Sequence, residues 1–355
     1  MNNLHISHRY MRMAESVSNR LQQALVRRKL APAFSEFYVT QLAGLTLLIA
    51  VLDTSKLGDH TPYTRADLLH QLSTDLGGLP VYLSNHSGIR YVVLLSALPK
   101  LPRKIELPPD VPRRKLAVGQ GFTGQPVLLD WESLLHLAVL GATGSGKSIF
   151  LQSLVMQAIR DDMQLLLSDI DQATFGLLDG YPNLAAPIAS TPQEALGLIE
   201  QAIAECDRRA ELFKSMPERP QKISEYNALA IKNSREPLPR MLIVLDEASS
   251  VLTALGGAKG QMGQALATLG WRGRKFGLTF TFAAQEFTKD LLGPVRDQVG
   301  LSLCFRVRNG QMAERMGCRG AERIPETRPG LAISSRHGPI QTYWVDGASL
   351  GQAKS

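Results

Sequence analysis

The 355-residue chain is 44% hydrophobic and 20% charged, ordinary proportions for a globular protein of two or three domains. Its three cysteines, Cys206, Cys304 and Cys318, form no C-x-x-C pair, which fits a reducing, cytoplasmic compartment and excludes a disulfide or zinc framework. The net charge of +7 lies entirely in residues 1–115, with 15 Lys/Arg against 8 Asp/Glu, while the remainder balances at 24 of each. That asymmetry suits a polyanionic partner, with a merely solvated basic face as the alternative.

The spacing of Met11, Ala14, Val17, Leu21, Leu25 and Val26 predicts a basic amphipathic helix over 3–30, a separate segment 1–32. Arg27, Arg28 and Lys29 are expected in its last turn, where cations suit the dipole. The apolar stretch at 42–52 holds Gly44 and Thr46 and ends at Asp53. It is too short to span a bilayer, and no signal peptide precedes it, so no membrane insertion is expected.

Residues 33–100 read as a small α/β domain. Strands are expected at 34–41, 46–52, 81–83 and 89–95, with a hairpin turn at 85–88. Thr64 is a candidate cap, with Asp67 three residues on, for a helix over 65–76. Residues 101–115 carry Pro102, Pro108, Pro109 and Pro112 among five basic residues and read as a linker. From 116 to 355 strands and helices alternate, which implies an α/β fold with a mainly parallel sheet.

Residues 141–148 spell Gly-Ala-Thr-Gly-Ser-Gly-Lys-Ser, a complete phosphate-loop motif. An apolar run at 135–140 precedes it and a helical pattern from Ile149 to Ile159 follows. Strand, glycine turn and helix N-terminus together make an anion site. The candidate contacts to ATP are Gly141, Ala142, Thr143, Gly144, Ser145, Gly146, Lys147, Ser148 and Ile149. Lys147 is expected to reach the outer phosphates and Ser148 to hold Mg²⁺. The alternative is a glycine-rich turn that matches by chance.

Five apolar residues, 241–245, lead into Asp246 and Glu247, as in a Walker B strand. Asp246 is the candidate metal carboxylate and Glu247 the candidate base for an attacking water; two solvated acids are the alternative. A strand at 278–284 ends in Gln285, a candidate sensor of the outer phosphate. Another, at 164–167, leads to Asp169. Arg272 and Arg274, just ahead of the 278–284 strand, are candidate arginine fingers for a neighbouring subunit, or solvated surface groups.

With these motifs the chain resembles the FtsK/SpoIIIE family of DNA-translocating motors, within the wider FtsK–HerA class. The resemblance runs from about 115 to 346. It rests on 116–119 with 124–127, on 136–148, on Gly180-Tyr181-Pro182-Asn183-Leu184, on 205–209 through Tyr226-Asn227, and on 277–285. The small domain at 33–100 looks more faintly like the family's α domain. The resemblance implies a RecA-like P-loop motor, ATP and Mg²⁺ as cofactors, and a hexameric ring with duplex DNA through its pore. Arg208, Arg209, Lys214, Arg219, Lys222 and Lys259 are then candidate phosphate contacts, which carry no sequence information.

Departures from the family pattern are visible. Asp169-Ile170-Asp171 replaces the usual Asp-Pro-Lys, and Thr174 stands where a glutamate is expected. Glu286 follows the sensor glutamine in place of an arginine. An arginine expected near Ser302 is absent, with Arg306 and Arg308 close by. A membrane anchor and a winged-helix γ domain are expected to be missing. These features imply a stripped-down motor of a plasmid, phage or other mobile element, with a recruiting protein as possible partner of the N-terminal region. A coupling or secretion ATPase feeding DNA or protein to a transport apparatus is the competing class, and a DNA-binding nucleotide switch that does not move is a third.

Overall fold

The computed structural model describes residues 7–42, 45–84, 88–96, 101–122, 124–134, 136–285 and 298–346. The expectations for residues 3–6, the turn at 85–87, Leu135 and Glu286 lie outside the described residues. Two compact units form, one from the chain up to Pro102 with the short segments 120–125 and 335–339, the other from the rest. No helix among the described residues is long and apolar enough to cross a membrane.

The first unit contains α1 (His8–Arg27), β1 (Phe34–Leu42), β2 (Leu45–Leu52), α2 (Ala66–Asp75), β3 (Val81–Ser84) and β4 (Arg90–Leu94). The strands form an antiparallel sheet ordered β1-β2-β4-β3. Ala14, Val17, Leu21, Ala24 and Leu25 share one face of α1 and are buried in the same core as Leu48, Ala50, Leu72 and Val93. The helix is therefore packed into the small unit. Met11 and Val26, expected on its apolar face, are about half exposed, at 49% and 57%.

Two local expectations are corrected. Of the three basic residues expected in the last turn of α1, only Arg27 is helical. Arg28 is the cap residue, and its guanidinium bonds to Gln71 and Asp75 of α2. Thr64 does not cap α2, because it closes a preceding 3₁₀ turn and its hydroxyl donates to the Thr61 carbonyl at 3.0 Å.

In chain order the remaining elements are β5 (Lys115–Gly121), β6 (Pro126–Asp130), β7 (His136–Leu140), α3 (Lys147–Arg160), β8 (Gln164–Asp169), α4 (Pro192–Ser215), α5 (Ile223–Lys232) and β9 (Met241–Asp246). Then follow α6 (Ala248–Ala254), α7 (Gln261–Phe276), β10 (Leu278–Ala284), β11 (Val299–Cys304), α8 (Gly310–Arg315), β12 (Leu331–Ser334) and β13 (Gly338–Thr342). The sheet order is β6-β5-β13-β12-β11-β7-β10-β9-β8.

The run β11-β7-β10-β9-β8 is parallel, whereas β12 pairs antiparallel with β11. The sheet is thus mixed, with a parallel run of five strands and an antiparallel neighbour at β12. A parallel pair needs a long crossover, which the helices supply only in the run from β7 to β11, whereas hairpins favour antiparallel neighbours.

Every residue of β7, β9 and β10 is buried, as expected for strands covered on both faces. Alternate residues go to opposite cores. Leu137 and Val139 pack beside Phe150 and Leu154 of α3, while Ala138 and Leu140 pack with Leu198, Leu266 and Phe280 on the side of α4 and α7. From Arg103 on, the Pro-rich segment ahead of β5 belongs to the second unit, where Lys104 Nζ sits 3.3 Å over the Trp344 ring.

Candidate nucleotide site

The parallel strands deliver their carboxyl ends to one edge of the sheet, where ligands bind in open α/β folds. From β7 the chain turns through 141–146 into α3. Gly144 and Gly146 take φ of +74° and +102°, values that favour glycine. A Cβ on Gly146 would lie 2.5 Å from the Gly330 nitrogen, and that N–H donates to the Ser145 carbonyl at 2.8 Å. Gly330 thus braces the loop from behind. Among the described residues no side chain caps α3, so its first N–H groups remain open to an anion.

β10 lies between β7 and β9, so the strand bearing the two acids is one removed from the loop strand. The intervening strand carries Gln285 at its tip, where Thr143 Oγ1 meets Gln285 Oε1 at 3.5 Å.

Across this edge Lys147 Nζ donates to Asp246 Oδ1 at 2.9 Å and lies 3.3 Å from Glu247 Oε2. Asp246 Oδ1 also accepts the Glu247 N–H at 3.0 Å, and Oδ2 accepts the Thr174 hydroxyl at 2.7 Å. Of about four lone-pair positions on a carboxylate, three are engaged. Glu247 heads α6 with φ +53°, a conformation costly outside glycine, and its Oε1 accepts from Ser249 at 2.8 Å.

Thr143, Lys147, Ser148, Asp246, Glu247 and Gln285 therefore border one cavity of about 400 Å³. The donor set fits what the sequence implies. The loop and α3 offer backbone N–H groups and a lysine to phosphates. Ser148 and Asp246 offer a hydroxyl and a carboxylate oxygen, the hard ligands that Mg²⁺ prefers.

Asp169 reaches the same edge, but its carboxylate accepts the backbone N–H groups of Ala173, Thr174 and Phe175 at 3.2, 2.9 and 2.7 Å. It shapes the 170–175 turn. Sequence reasoning missed Thr174 as a site residue, having noted it only as a departure. It also left Arg306 without a place. Arg306 sits two residues past β11, with Nη2 3.4 Å from the Thr143 carbonyl and Nη1 3.0 Å from Glu326.

The remaining candidates lie elsewhere. Arg272 and Arg274 sit near the end of α7, beside the start of β10, and Arg272 pairs with Asp207. The seven residues of β10 separate them from the cavity by roughly 20 Å in the same chain. Arg208 pairs with Glu205 on the surface of α4, Lys214 with Glu211, and Lys222 with Glu132. Arg219 is exposed in the turn after α4. Exposed Lys259 lies in the short turn between α6 and α7.

Arg209 is corrected outright as a DNA contact. Its side chain is 0% exposed, with Nε bonded to Glu205 at 2.6 Å and Nη1 to the Phe276 carbonyl at 2.7 Å. A guanidinium committed to the α4–α7 interior has no face left for a phosphate.

Loop, lysine, paired acids and intervening strand define a P-loop NTPase of the RecA-like kind. Residues 106–322 match the FtsK/SpoIIIE family model, and the chain belongs to this family of P-loop ATPases. It is 28% identical over 197 residues to the DNA translocase FtsK of Helicobacter pylori strain J99, covering 54% of this chain and 23% of that protein. Over 233 residues it is 28% identical to the DNA translocase FtsK of Lactiplantibacillus plantarum, covering 62% and 29%. The chain spans about a quarter of the length of these curated relatives.

Among solved structures, the pCW3 conjugation coupling protein TcpA, in its monomer form with ATPγS, matches with a TM-score of 0.63 at 17% identity. That match covers 95% of this chain and 98% of the other. The cytoplasmic domain of the Thermomonospora curvata type VII secretion ATPase EccC matches with a TM-score of 0.57 at 22% identity, over 70% and 31%. At these identities the likeness is one of fold.

Proposed function

We propose that the protein hydrolyses ATP and uses the energy to move double-stranded DNA, working as a hexameric ring in the cytoplasm. The observation that carries the reading is the convergence of Lys147, Asp246, Glu247 and Gln285 on one cavity beside a glycine loop. The N–H groups of 141–149 hold the phosphates. Lys147 leaves the acids for the outer phosphates, and Ser148 and Asp246 hold the cation. When bound, Mg²⁺ offsets the charge of the outer phosphates. Glu247, relieved of the lysine, takes a proton from the attacking water. Gln285 reports on the outer phosphate.

Arg272 and Arg274 lie too far from their own cavity to act there, so their catalytic place is a neighbouring subunit's site. Arg208, Lys214, Arg219, Lys222 and Lys259 serve as sequence-independent contacts to DNA phosphates. The N-terminal region meets a recruiting protein, and the source is a plasmid, phage or other mobile element.

A second reading, a coupling ATPase that feeds DNA to a transport apparatus, is favoured by the fold match to TcpA, which covers 95% of the chain. Both readings share the site. Phosphate release with linear duplex, single strands or protein tests them. Many-fold stimulation by duplex supports the motor. Electron micrographs of Glu247→Gln with ATP and duplex are expected to show closed rings around DNA. A protein that stays monomeric under those conditions and never releases phosphate defeats the proposal.

A further inference from the structure

Thr174 occupies the position where the sequence pattern led us to expect a glutamate, and it is only 5% exposed. It is fixed from three sides. Its backbone N–H donates to Asp169 Oδ2 at 2.9 Å, and its carbonyl accepts from Gln152 Nε2 at 2.9 Å. Its hydroxyl donates to Asp246 Oδ2 at 2.7 Å. Asp169 is itself tied to the N–H groups of Ala173 and Phe175, so the threonine has little freedom to shift.

Gln152 lies on α3 four residues after Ser148, hence on the same helix face one turn along. A Gln152–Thr174–Asp246 chain of hydrogen bonds thus runs from the helix that bears Ser148 to the carboxylate.

We propose that Thr174 is a positioning residue for the divalent cation at this site. The inference rests on the nucleotide reading of the cavity and deepens it. By engaging Oδ2, the hydroxyl stops the Asp246 carboxylate from rotating and fixes the direction of Oδ1, the oxygen that Lys147 now holds. When Lys147 turns to the phosphates, Oδ1 is left pointing where a cation or its water can be met. Without the hydroxyl, Asp246 keeps its charge and the bond from the Glu247 N–H but loses the restraint on its other oxygen, which is left buried without that partner. Groups that orient metal ligands in this way are typically worth roughly 10- to 100-fold in metal affinity or activity.

The test uses the full chain and a fluorescent ATP analogue, titrated in EDTA and then with Mg²⁺. Thr174→Val removes the hydroxyl at nearly constant shape, and Thr174→Ser retains it. Thr174→Val is expected to bind the analogue in EDTA as the parent does, while the Mg²⁺ midpoint rises about 10-fold or more. Thr174→Ser is expected to restore the midpoint to within about twofold of the parent, far inside that range. Should the valine variant fail to fold, Thr174→Ala is read in the same way. An unshifted midpoint in the variant lacking the hydroxyl, or an equal shift in Thr174→Ser, overturns the threonine's role alone. A parent protein that binds no analogue with or without Mg²⁺ overturns the nucleotide reading beneath it.

Discussion

Lys147 Nζ reaches Asp246 Oδ1 at 2.9 Å across the end of an intervening strand, with Glu247 Oε2 at 3.3 Å. One cation thus bridges two acids whose side chains are only 10% and 14% exposed and offsets one of their two charges. Lys147→Ala removes both a phosphate contact and this bridge. Steady-state phosphate release is expected to fall at least about 100-fold, the scale for losing one preorganised donor. The melting temperature should fall as well, because two close carboxylates lose their shared partner. A variant that hydrolyses normally would remove Lys147 from the chemistry.

Arg208 and Arg209 are neighbours in sequence with opposite surroundings. Arg208 forms an exposed pair with Glu205, while Arg209 is fully buried on Glu205 and the Phe276 carbonyl. Arg209→Ala is expected to cost about 3 kcal/mol, since it leaves a buried carbonyl unpaired and a carboxylate short of its partner. Arg208→Ala is expected to cost under about 0.5 kcal/mol. Urea denaturation of the two variants measures the contrast. Equal stabilities would restore Arg209 to the candidates for DNA contact.

The pair also marks where sequence ceases to be legible. The phosphate loop and the strand of 241–246 could be read directly, because a glycine pattern and an apolar run ending in acids each express a local physical need. Which of two adjacent arginines faces inward depends on how α4 meets α7, a tertiary fact that local spacing leaves open. Thr174 was unreadable for a related reason. Its role comes from a turn that Asp169 organises over 169–175, bringing a hydroxyl to a strand 72 residues later. The strand order was likewise hidden, since the placement of β10 between β7 and β9 is set by packing of the crossover helices. In α1 the helical period was clear, but the half-exposure of both ends of the apolar stripe, Met11 and Val26, was not.

Gly146 combines a φ of +102° with a close approach to Gly330. Gly146→Ala would place a methyl 2.5 Å from the Gly330 nitrogen and strain the backbone as well. Displacement of the loop is expected, with affinity for a fluorescent ATP analogue falling at least about 10-fold, the equivalent of 1.4 kcal/mol of lost fit. A Cβ on Gly144 meets nothing within 4 Å, so Gly144→Ala carries only the backbone strain at +74° and should lose less. Calorimetric titration of both decides. The reverse order would show that the brace from Gly330 is unimportant.

His136, at the start of β7, is 1% exposed and stacks on Phe280 with ring centroids 3.8 Å apart. Its Nδ1 accepts the Phe280 N–H at 3.1 Å, so Nε2 carries the proton and donates to the Gly270 carbonyl at 3.1 Å. The ring is therefore held neutral. Burial pulls its pKa down to about 4, with the bond to Gly270 opposing. An unfolded histidine titrates near 6.5, so between pH 6.5 and 4 the unfolded chain binds the extra proton. The contribution to stability is thus complete above about pH 6.5 and shrinks as pH falls, by about 3 kcal/mol at pH 4. All three tryptophans, Trp131, Trp271 and Trp344, belong to the second unit, so their fluorescence during urea unfolding follows the unit that holds His136. His136→Gln binds no proton in this range, and its stability should decline less steeply than the parent's from pH 7 to 4. Parallel pH profiles for the two proteins would mean that the buried ring does not control the acid sensitivity of this sheet.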